Sequence, residues 1–525
     1  MSADLAALRT AAGDWASHDP NPTTSSYVTA LLGRADGGGG AAAELSELFS
    51  GSRISFGTAG LRGPMRPGPR SMNDLVVIQA AQGLASYIKD TEGGGKGLVV
   101  VGRDHRARDE FGLSSERFAR YTKLVFDRAG IDCLLLEGVV ATPILAFATR
   151  HLGAVAGIMV TASHNPKDDN GYKVYWRGGC QIRPPMDREI AKAIDENLIP
   201  WADYGAALAK AEAEGRGLGD GPRTEEIEEA YFRSIRALRT LPEDGGESDL
   251  KFAYTSMHGV GYPYAKRSFD EFGVPGPLLA VPSQRDADPA FPTVPFPNPE
   301  ERGALDRAMD FAAENGCRVV LANDPDADRL GVAELDDGGG STAFTGDEIG
   351  ALLGMWLLES FGRTSSRPVA MIASTVSSKV LAAMADAEGF HFEVRVINTQ
   401  QLTMTSRLCS YSFKNSGDPY RLQVDRQPRP LPPRGGVRRP PRLRGGHRLL
   451  LRGRHTRQGR DKRTGRRGEH GNVALRERRD PGLVPGGYIR QIRTLRVGQR
   501  VLQMPRPGRR GEDHRGDEER REVPR

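Results

Sequence analysis

The chain has 525 residues, room for roughly three or four domains with buried cores, and its net charge of +6 is unevenly spread. Residues 421–525 carry 31 Lys and Arg, all but one of them Arg, against 11 Asp and Glu, so the first 420 residues are net acidic by 14 charges. No apolar run reaches the ~18 residues that crossing a bilayer takes, no basic segment with an apolar core opens the chain, and Cys133, Cys180, Cys317 and Cys409 lack paired spacing. Secretion and membrane insertion are therefore unsupported, and buried free thiols in a reducing, cytoplasmic compartment are expected. In chain order, residues 1–50 read as a helical lead-in broken by the run Gly37 to Gly40. Between 52 and 201 the strand-like runs 98–101, 131–136 and 155–160 alternate with amphipathic patterns at 73–89 and 116–129, which is α/β organisation. The polar, Gly-containing stretch 206–223 reads as a linker. A second α/β unit follows, with strands at 252–255 and 319–322 and helices at 262–272 and 300–315. A third opens with helix 347–361, strand 369–372 and helix 378–388. Past Glu393 the apolar periodicity fades. The Arg-rich tail reads as a disordered arm; it has almost no aromatic residues to stack on bases and no helical basic stripe, so nucleic acid is not its expected partner.

The chemistry-bearing motifs stand at the ends of these strands. Thr161, Ala162, Ser163, His164, Asn165, Pro166, Lys167 and Asp168 follow the run 155–160, so Ser163 lies in a polar loop and is a candidate phosphate carrier; an ordinary Ser/Asn/Pro turn explains the spacing equally well. Asp324, Asp326 and Asp328 follow the run 319–322 at alternate positions. Such crowding raises carboxylate pKa unless a cation lies between the charges, and a hard divalent ion, most simply Mg²⁺, resolves the conflict. An EF-hand is excluded, because Arg329 stands at position six and Leu335 at position twelve; a solvated acidic turn remains open. The loop 56–63, with Thr58 and Arg62, joins a permissive backbone to a guanidinium and suits a phosphate. His258, Gly259, Val260 and Gly261 form a second Gly-rich loop, either helix entry or ligand site. Gly346, Asp347 and Glu348 offer carboxylates to sugar hydroxyls, or else cap the following helix. Together the loops point to phosphoryl transfer, with Lys173 and His164 as candidate proton carriers. Lys173 is expected to have its pKa lowered by neighbouring arginines and metal.

From about 52 to 393 these residues resemble the α-D-phosphohexomutase superfamily, in particular its phosphoglucomutase/phosphopentomutase-like branch. The likeness rests on 56–63, 161–175, 255–261, 291–301, 324–329 and 344–353. It implies consecutive mixed α/β domains around one cleft: 51–205 with the phosphoserine loop, 224–335 with the metal loop, and a partial third at 342–393. It also implies a phosphosugar mutase that interconverts sugar 1-phosphates with 5- or 6-phosphates, through a phosphoserine and a sugar bisphosphate that serves as intermediate and activator. Small phosphosugars are then the partners, with no membrane. Ser163, His164, Lys173 and Arg62 would be catalytic, with Lys173 the general base. Thr58, Arg62, Arg329, Gly346, Asp347 and Glu348 would bind substrate, and phosphorylated Ser163 with Asp324, Asp326 and Asp328 would hold one Mg²⁺. From 394 onward the likeness ends, which implies a truncated third domain, a fourth that is absent or out of frame, and a disordered tail. Arg-dominated, Lys-poor composition with Pro and Gly is what off-frame translation of GC-rich coding sequence produces. The expectations are impaired turnover, leakage of phosphate to water, and exposed apolar surface on the third unit. Two other readings compete: a non-catalytic polyanion-binding protein with a mutase-like body, and a metal-dependent phosphatase with Asp324 as nucleophile, which the motif order around Ser163 disfavours.

Overall fold

Three helices, α1 (Ser2–His18), α2 (Pro22–Arg34) and α3 (Gly40–Phe49), make up the lead-in of the computed structural model. The structure describes residues 2–395, apart from 36–39, 95–96, 241–247, 337 and 339, together with the short strand pieces Arg496–Val497 and Arg500–Val501. The rest of the expected disordered tail lies outside the described residues. Helix α2 starts where Asn21 accepts from the amides of Thr23 and Thr24 and Pro22 supplies a preset φ. The apolar faces of the three helices, with Trp15, Val28, Leu31, Leu45 and Phe49, close over Leu75 of the next unit, so the lead-in is packed rather than pendant.

That seam buries acid. Asp19 accepts from Thr24 Oγ1, and Asp74 takes a 2.7 Å ion pair from Arg117. Burial pushes Asp19 up to about 7, and Asp74 up to about 6 despite Arg117. Because the folded state holds these protons above the unfolded carboxylate value, their stabilisation is complete below about pH 4 and is lost as pH rises toward 7. Asp19→Asn is expected to be the more stable chain at pH 7.5 by about 2–4 kcal/mol, and the advantage should vanish near pH 4. Urea midpoints of both chains across that range check it; parallel profiles would refute the buried-proton account.

The first α/β unit holds β1 (Leu61–Pro64), α4 (Asp74–Thr91), β2 (Leu98–Arg103), β3 (Ala107–Arg108), β4 (Leu113–Ser114), α5 (Ser115–Ala129) and β5 (Asp132–Leu136). It continues through α6 (Thr142–His151), β6 (Ala156–Val160), β7 (Asp169–Trp176), β8 (Cys180–Gln181), α7 (Met186–Asp195), α8 (Tyr204–Ala213), β9 (Gly219–Asp220) and α9 (Gly221–Arg236). The sheet order is β1-β7-β6-β2-β5-β9, with β8 on β7. Strands β6, β2, β5 and β9 run parallel, and β7 turns back antiparallel between β6 and β1. Val99, Val101, Ile158 and Val160 fill one face against α4 and α5, as the continuous apolar runs require for strands covered on both sides. The stretch 206–223 is no linker: α8 buries Leu208 and Ala211, β9 joins the sheet edge beside β5, and Asp220 caps α9. The helix's buried period, Tyr204, Leu208 and Ala211, begins before the stretch, so the part inside 206–223 reads as polar chain.

The second unit has β10 (Phe252–Thr255), α10 (Gly261–Phe272), β11 (Leu278–Ala280), α11 (Asp306–Asn315), β12 (Val319–Asn323), β13 (Leu330–Leu335) and β14 (Ser341–Ala343), in sheet order β11-β10-β12-β13-β14. Its last helix begins at Asp306 rather than 300, because Gly303 stands at φ +86° and breaks the preceding turn. The third unit comprises α12 (Gly346–Leu357), β15 (Ala370–Ser374), α13 (Val380–Glu388) and β16 (His391–Arg395), with β15 and β16 parallel. Leu352, Leu353, Trp356 and Leu357 of α12 and Ile372 of β15 are exposed, which is the apolar surface expected for this unit. Cys133, Cys180 and Cys317 are free; Cys317 is buried, but Cys180 is exposed, against the expectation of buried thiols, and Cys409 lies outside the described residues. Among the described residues no helix is long and apolar enough to cross a membrane.

Candidate active site

Strands β6 and β12 end facing each other, and each releases a loop at the same place. The turn after β6 holds Ser163 at φ +55°, the left-handed region that a side chain rarely adopts, with its amide donating to Thr161 Oγ1 at 2.8 Å. Ser163 is 2 % exposed, and its Oγ donates to Asp324 Oδ2 at 2.7 Å across 161 residues of chain. His164 Nδ1 lies 3.2 Å from the same hydroxyl. Burial first, then the charges of Arg329 and Arg62, push His164 down to about 4, so its ring is neutral at physiological pH.

The loop after β12 turns tightly through Ala327, also at positive φ, and brings one carboxylate oxygen each from Asp324, Asp326 and Asp328 within 4.8 Å of one another. Asp324 and Asp326 are buried and Asp328 is exposed. The amides of Asp328 and Arg329 donate to Asp324 Oδ1 at 3.1 and 3.0 Å. The amide and hydroxyl of Thr142, at the start of α6, donate to the Asp326 carbonyl at 2.9 Å and to its Oδ2 at 2.7 Å. The other oxygen of Asp326 is buried with no donor in reach, so it is open to a cation. Burial, then the charges of Asp326 and Asp328, hold the Asp324 carboxyl well above its usual range, as expected of crowded acids without an ion between them. Oxygen ligands at this spacing fit a hard divalent ion.

Lys173, on β7, departs from its expected surroundings. Its Nζ donates to Asp326 Oδ2 at 2.6 Å and to Asp328 Oδ2 at 2.9 Å, so its neighbours are carboxylates rather than arginines. Burial alone would lower its pKa, but the two acids outweigh burial and hold it above the usual lysine value. The same pairing offsets burial at Asp326 and brings its carboxyl down to about 2.

Arg62 lies on β1 beside the serine loop, donating to Asn165 Oδ1 at 3.1 Å, while its Nε is buried without an acceptor, a donor left for a ligand. It is placed by Gly60, at φ +73°, where a Cβ would come within 1.9 Å of the Tyr172 carbonyl oxygen. Thr58 is exposed in the turn closed by Gly57 and Gly60. Arg329 reaches within 4.0 Å of Asp324 Oδ2 and of Glu300 Oε2. The loop 258–261 is both helix entry and wall: Gly261 opens α10, and Gly259 lies so close that a Cβ would fall 2.3 Å from Pro325 Cα. At the third unit, Glu348 closes a capping box with Thr345, and Asp347 accepts from the Ser378 amide at 2.8 Å. Gly346 faces Glu300, whose Oε1 a Cβ there would meet at 2.6 Å. The sequence reading missed Thr142 and Arg106, and gave Phe291, which opens the stretch 291–301, no role of its own. An Asp-x-Arg after a buried strand, 104–106, was the only signal for one of them.

Comparison with known proteins places these loops in context. Residues 53–199 match the model for phosphoglucomutase/phosphomannomutase α/β/α domain I, and residues 229–338 match that for domain II. The chain is 43 % identical to a mouse phosphopentomutase over 389 residues, covering 72 % of this chain and 60 % of that protein. It is 41 % identical to a human glucose 1,6-bisphosphate synthase, covering 74 % of this chain and 61 % of that one, and 42 % identical to a Saccharomyces cerevisiae phosphoribomutase, covering 72 % and 61 %. It thus spans about three fifths of the length of these relatives. The crystal structure of a Thermus thermophilus protein assigned as a phosphomannomutase superposes with a TM-score of 0.50 at 26 % identity, covering 66 % of this chain and 70 % of that one.

Proposed function

Because the chain belongs to the α-D-phosphohexomutase superfamily, we propose that it is a phosphosugar mutase in which Ser163 Oγ carries the phosphoryl group. The observation that carries the reading is the hydrogen bond from the left-handed Ser163 to Asp324 of the acidic triad, which sets a nucleophilic oxygen beside three carboxylates suited to a cation. Phosphate on Ser163 passes to a free hydroxyl of a sugar monophosphate, breaking the Ser163 Oγ–P bond and forming a sugar bisphosphate. The other phosphate of that bisphosphate then returns to Ser163, and the product is the isomeric monophosphate. Magnesium held by Asp324, Asp326, Asp328 and the seryl phosphate would neutralise charge on the transferring group.

The chain's own groups supply the rest. Arg62, with its unpaired Nε, and Arg329 bind phosphate or sugar oxygens, and Thr58 is a third substrate-binding residue of this reading. His164, 3.2 Å from Ser163 Oγ, and Lys173, held by Asp326 and Asp328, are the proton carriers of this reading, with Lys173 as general base once a metal ion draws the two carboxylates away from it. Gly346, Asp347 and Glu348 are read as a sugar-facing loop, Gly346 abutting Glu300, whose carboxylate lies 4.0 Å from Arg329. Residues 51–205 and 224–335 are read as the first and second domains and 342–393 as part of a third. Pentose and hexose phosphates are the substrate classes, since the matched relatives include a phosphopentomutase, a phosphoribomutase and a glucose 1,6-bisphosphate synthase, and a cytoplasmic location suits them.

Incubating the full chain with glucose 1,6-bisphosphate and Mg²⁺ is expected to add one phosphate to the peptide containing Ser163, read by mass spectrometry, and a following chase with ribose 5-phosphate should remove it to sugar. No phosphate on that peptide would overturn the reading; partial loss to water beside transfer to sugar is the leakage expected of an impaired mutase whose likeness to the family ends at 393.

A further inference from the structure

Arg106 is the largest side chain in the described part of the molecule that is fully buried, and none of the phosphate or metal chemistry above uses it. Its guanidinium spends its donors on backbone: one terminal nitrogen donates to the carbonyls of Ser163 at 2.6 Å and Asn165 at 2.7 Å, the other to those of Pro166 at 2.7 Å and Asp169 at 3.0 Å. Asp104 lies 3.3 Å from its Nε and in turn accepts from the Arg106 amide at 3.0 Å and from Ser115 Oγ at 2.5 Å. The charge is therefore balanced from behind while the fork faces the serine loop.

A second observation comes from the other unit. Phe291 sets its ring 5.1 Å from the Arg106 guanidinium carbon and lies tilted against His105, 5.2 Å between ring centroids. Among the described residues, five that are not glycine have positive φ: Ser163, Met257, His258, Phe291 and Ala327. Two of these are the serine and acidic turns themselves. Phe291, over Arg106, is a third, and His258 is a fourth, its ring 6.3 Å from that of Phe291, centroid to centroid. Strained backbone is held only where its surroundings over-determine it.

We infer that Arg106 is a positioning residue, whose four-carbonyl clamp, closed by Phe291, holds the loop 163–169 so that Ser163 Oγ points at the acidic triad. The clamp itself is a matter of geometry; its catalytic consequence rests on the phosphoryl-carrier reading of Ser163. A lysine has no planar fork and cannot serve four carbonyls in two directions.

Amide hydrogen exchange on the full chain tests the clamp without any assay of activity. The amides of Ser163, Asn165 and Asp169 are bonded in the native loop, and Arg106→Gln is expected to speed their exchange about tenfold or more, with β2 and α5 amides unchanged. Arg106→Lys should not restore protection. In phosphate loading from glucose 1,6-bisphosphate, the rate at saturation should fall about tenfold while the half-saturating concentration stays within about threefold, since Arg106 is buried away from substrate. Unchanged loop exchange in a folded Gln variant, or full protection in the Lys variant, would overturn the proposal. Should the Gln variant not fold, Phe291→Leu removes only the ring; faster exchange confined to the loop supports the clamp, and none refutes it. If the unaltered chain takes up no phosphate, the phosphoryl-carrier reading falls, while the exchange result still decides the clamp.

Discussion

Ser163→Ala should abolish phosphate loading from a sugar bisphosphate and lower any sugar phosphate isomerisation by about a thousandfold or more, with no loss of fold. The size follows from the chemistry: a covalent carrier has no substitute once its nucleophile is gone, and what remains is binding without the transferable group. The fold should survive because Ser163 contributes one hydroxyl to a packed loop. Asp324 keeps the amides of Asp328 and Arg329 when that hydroxyl is removed, and the loop keeps its backbone anchor on Thr161. Thermal denaturation alongside phosphopeptide analysis of both chains checks the prediction. Isomerisation surviving in a folded Ala variant would place the phosphoryl carrier elsewhere, and Asp324 as nucleophile would then be the reading to pursue.

Lys173→Ala is expected to destabilise the metal-free chain by about 3–5 kcal/mol, because it strands a charge. Lys173 is only 4 % exposed, and its partner Asp326 is fully buried, so no solvent replaces the lost cation. In the unaltered chain Asp326 is held down to about 2, and its ionised form contributes stability above about pH 4 that is lost as pH falls toward 2. Without the lysine the sign reverses. Asp326 then favours its proton, so the damage should be greatest at neutral pH and shrink on acidification. A divalent ion in the triad replaces part of the missing positive charge, so millimolar Mg²⁺ should recover part of the loss in urea denaturation. Destabilisation independent of both pH and Mg²⁺ would mean that Lys173 matters for packing alone.

The local parts of this molecule were legible in the sequence. Strand β6 and the loop after it, and β12 with its three alternating carboxylates, show themselves because a buried parallel strand needs a continuous apolar run and because its end must return to polar chain. What sequence reasoning lost was whatever depends on a few contacts spread along the chain: α8 and β9, where Leu208 and Ala211 were hidden in polar text, and the late start of α11, set by one backbone angle at Gly303. The two carboxylates at 347 and 348 were legible as acids near a helix start, and both readings offered for them were reasonable. The capping box at Glu348 and the amide held by Asp347 then show how those groups are used in the folded chain.

By itself, then, the sequence determined the α/β character, the family likeness, and the identities of the serine, the acids and the arginines, since these follow from periodicity and from side-chain chemistry at short range. Only the tertiary structure decided what each of them faces. Electrostatics and hydrogen bonding fall off with distance in space and take no account of separation along the chain. Packing alone therefore set Ser163 against Asp324, put Lys173 between two carboxylates instead of among arginines, and drew Arg106 beneath the loop that Ser163 occupies.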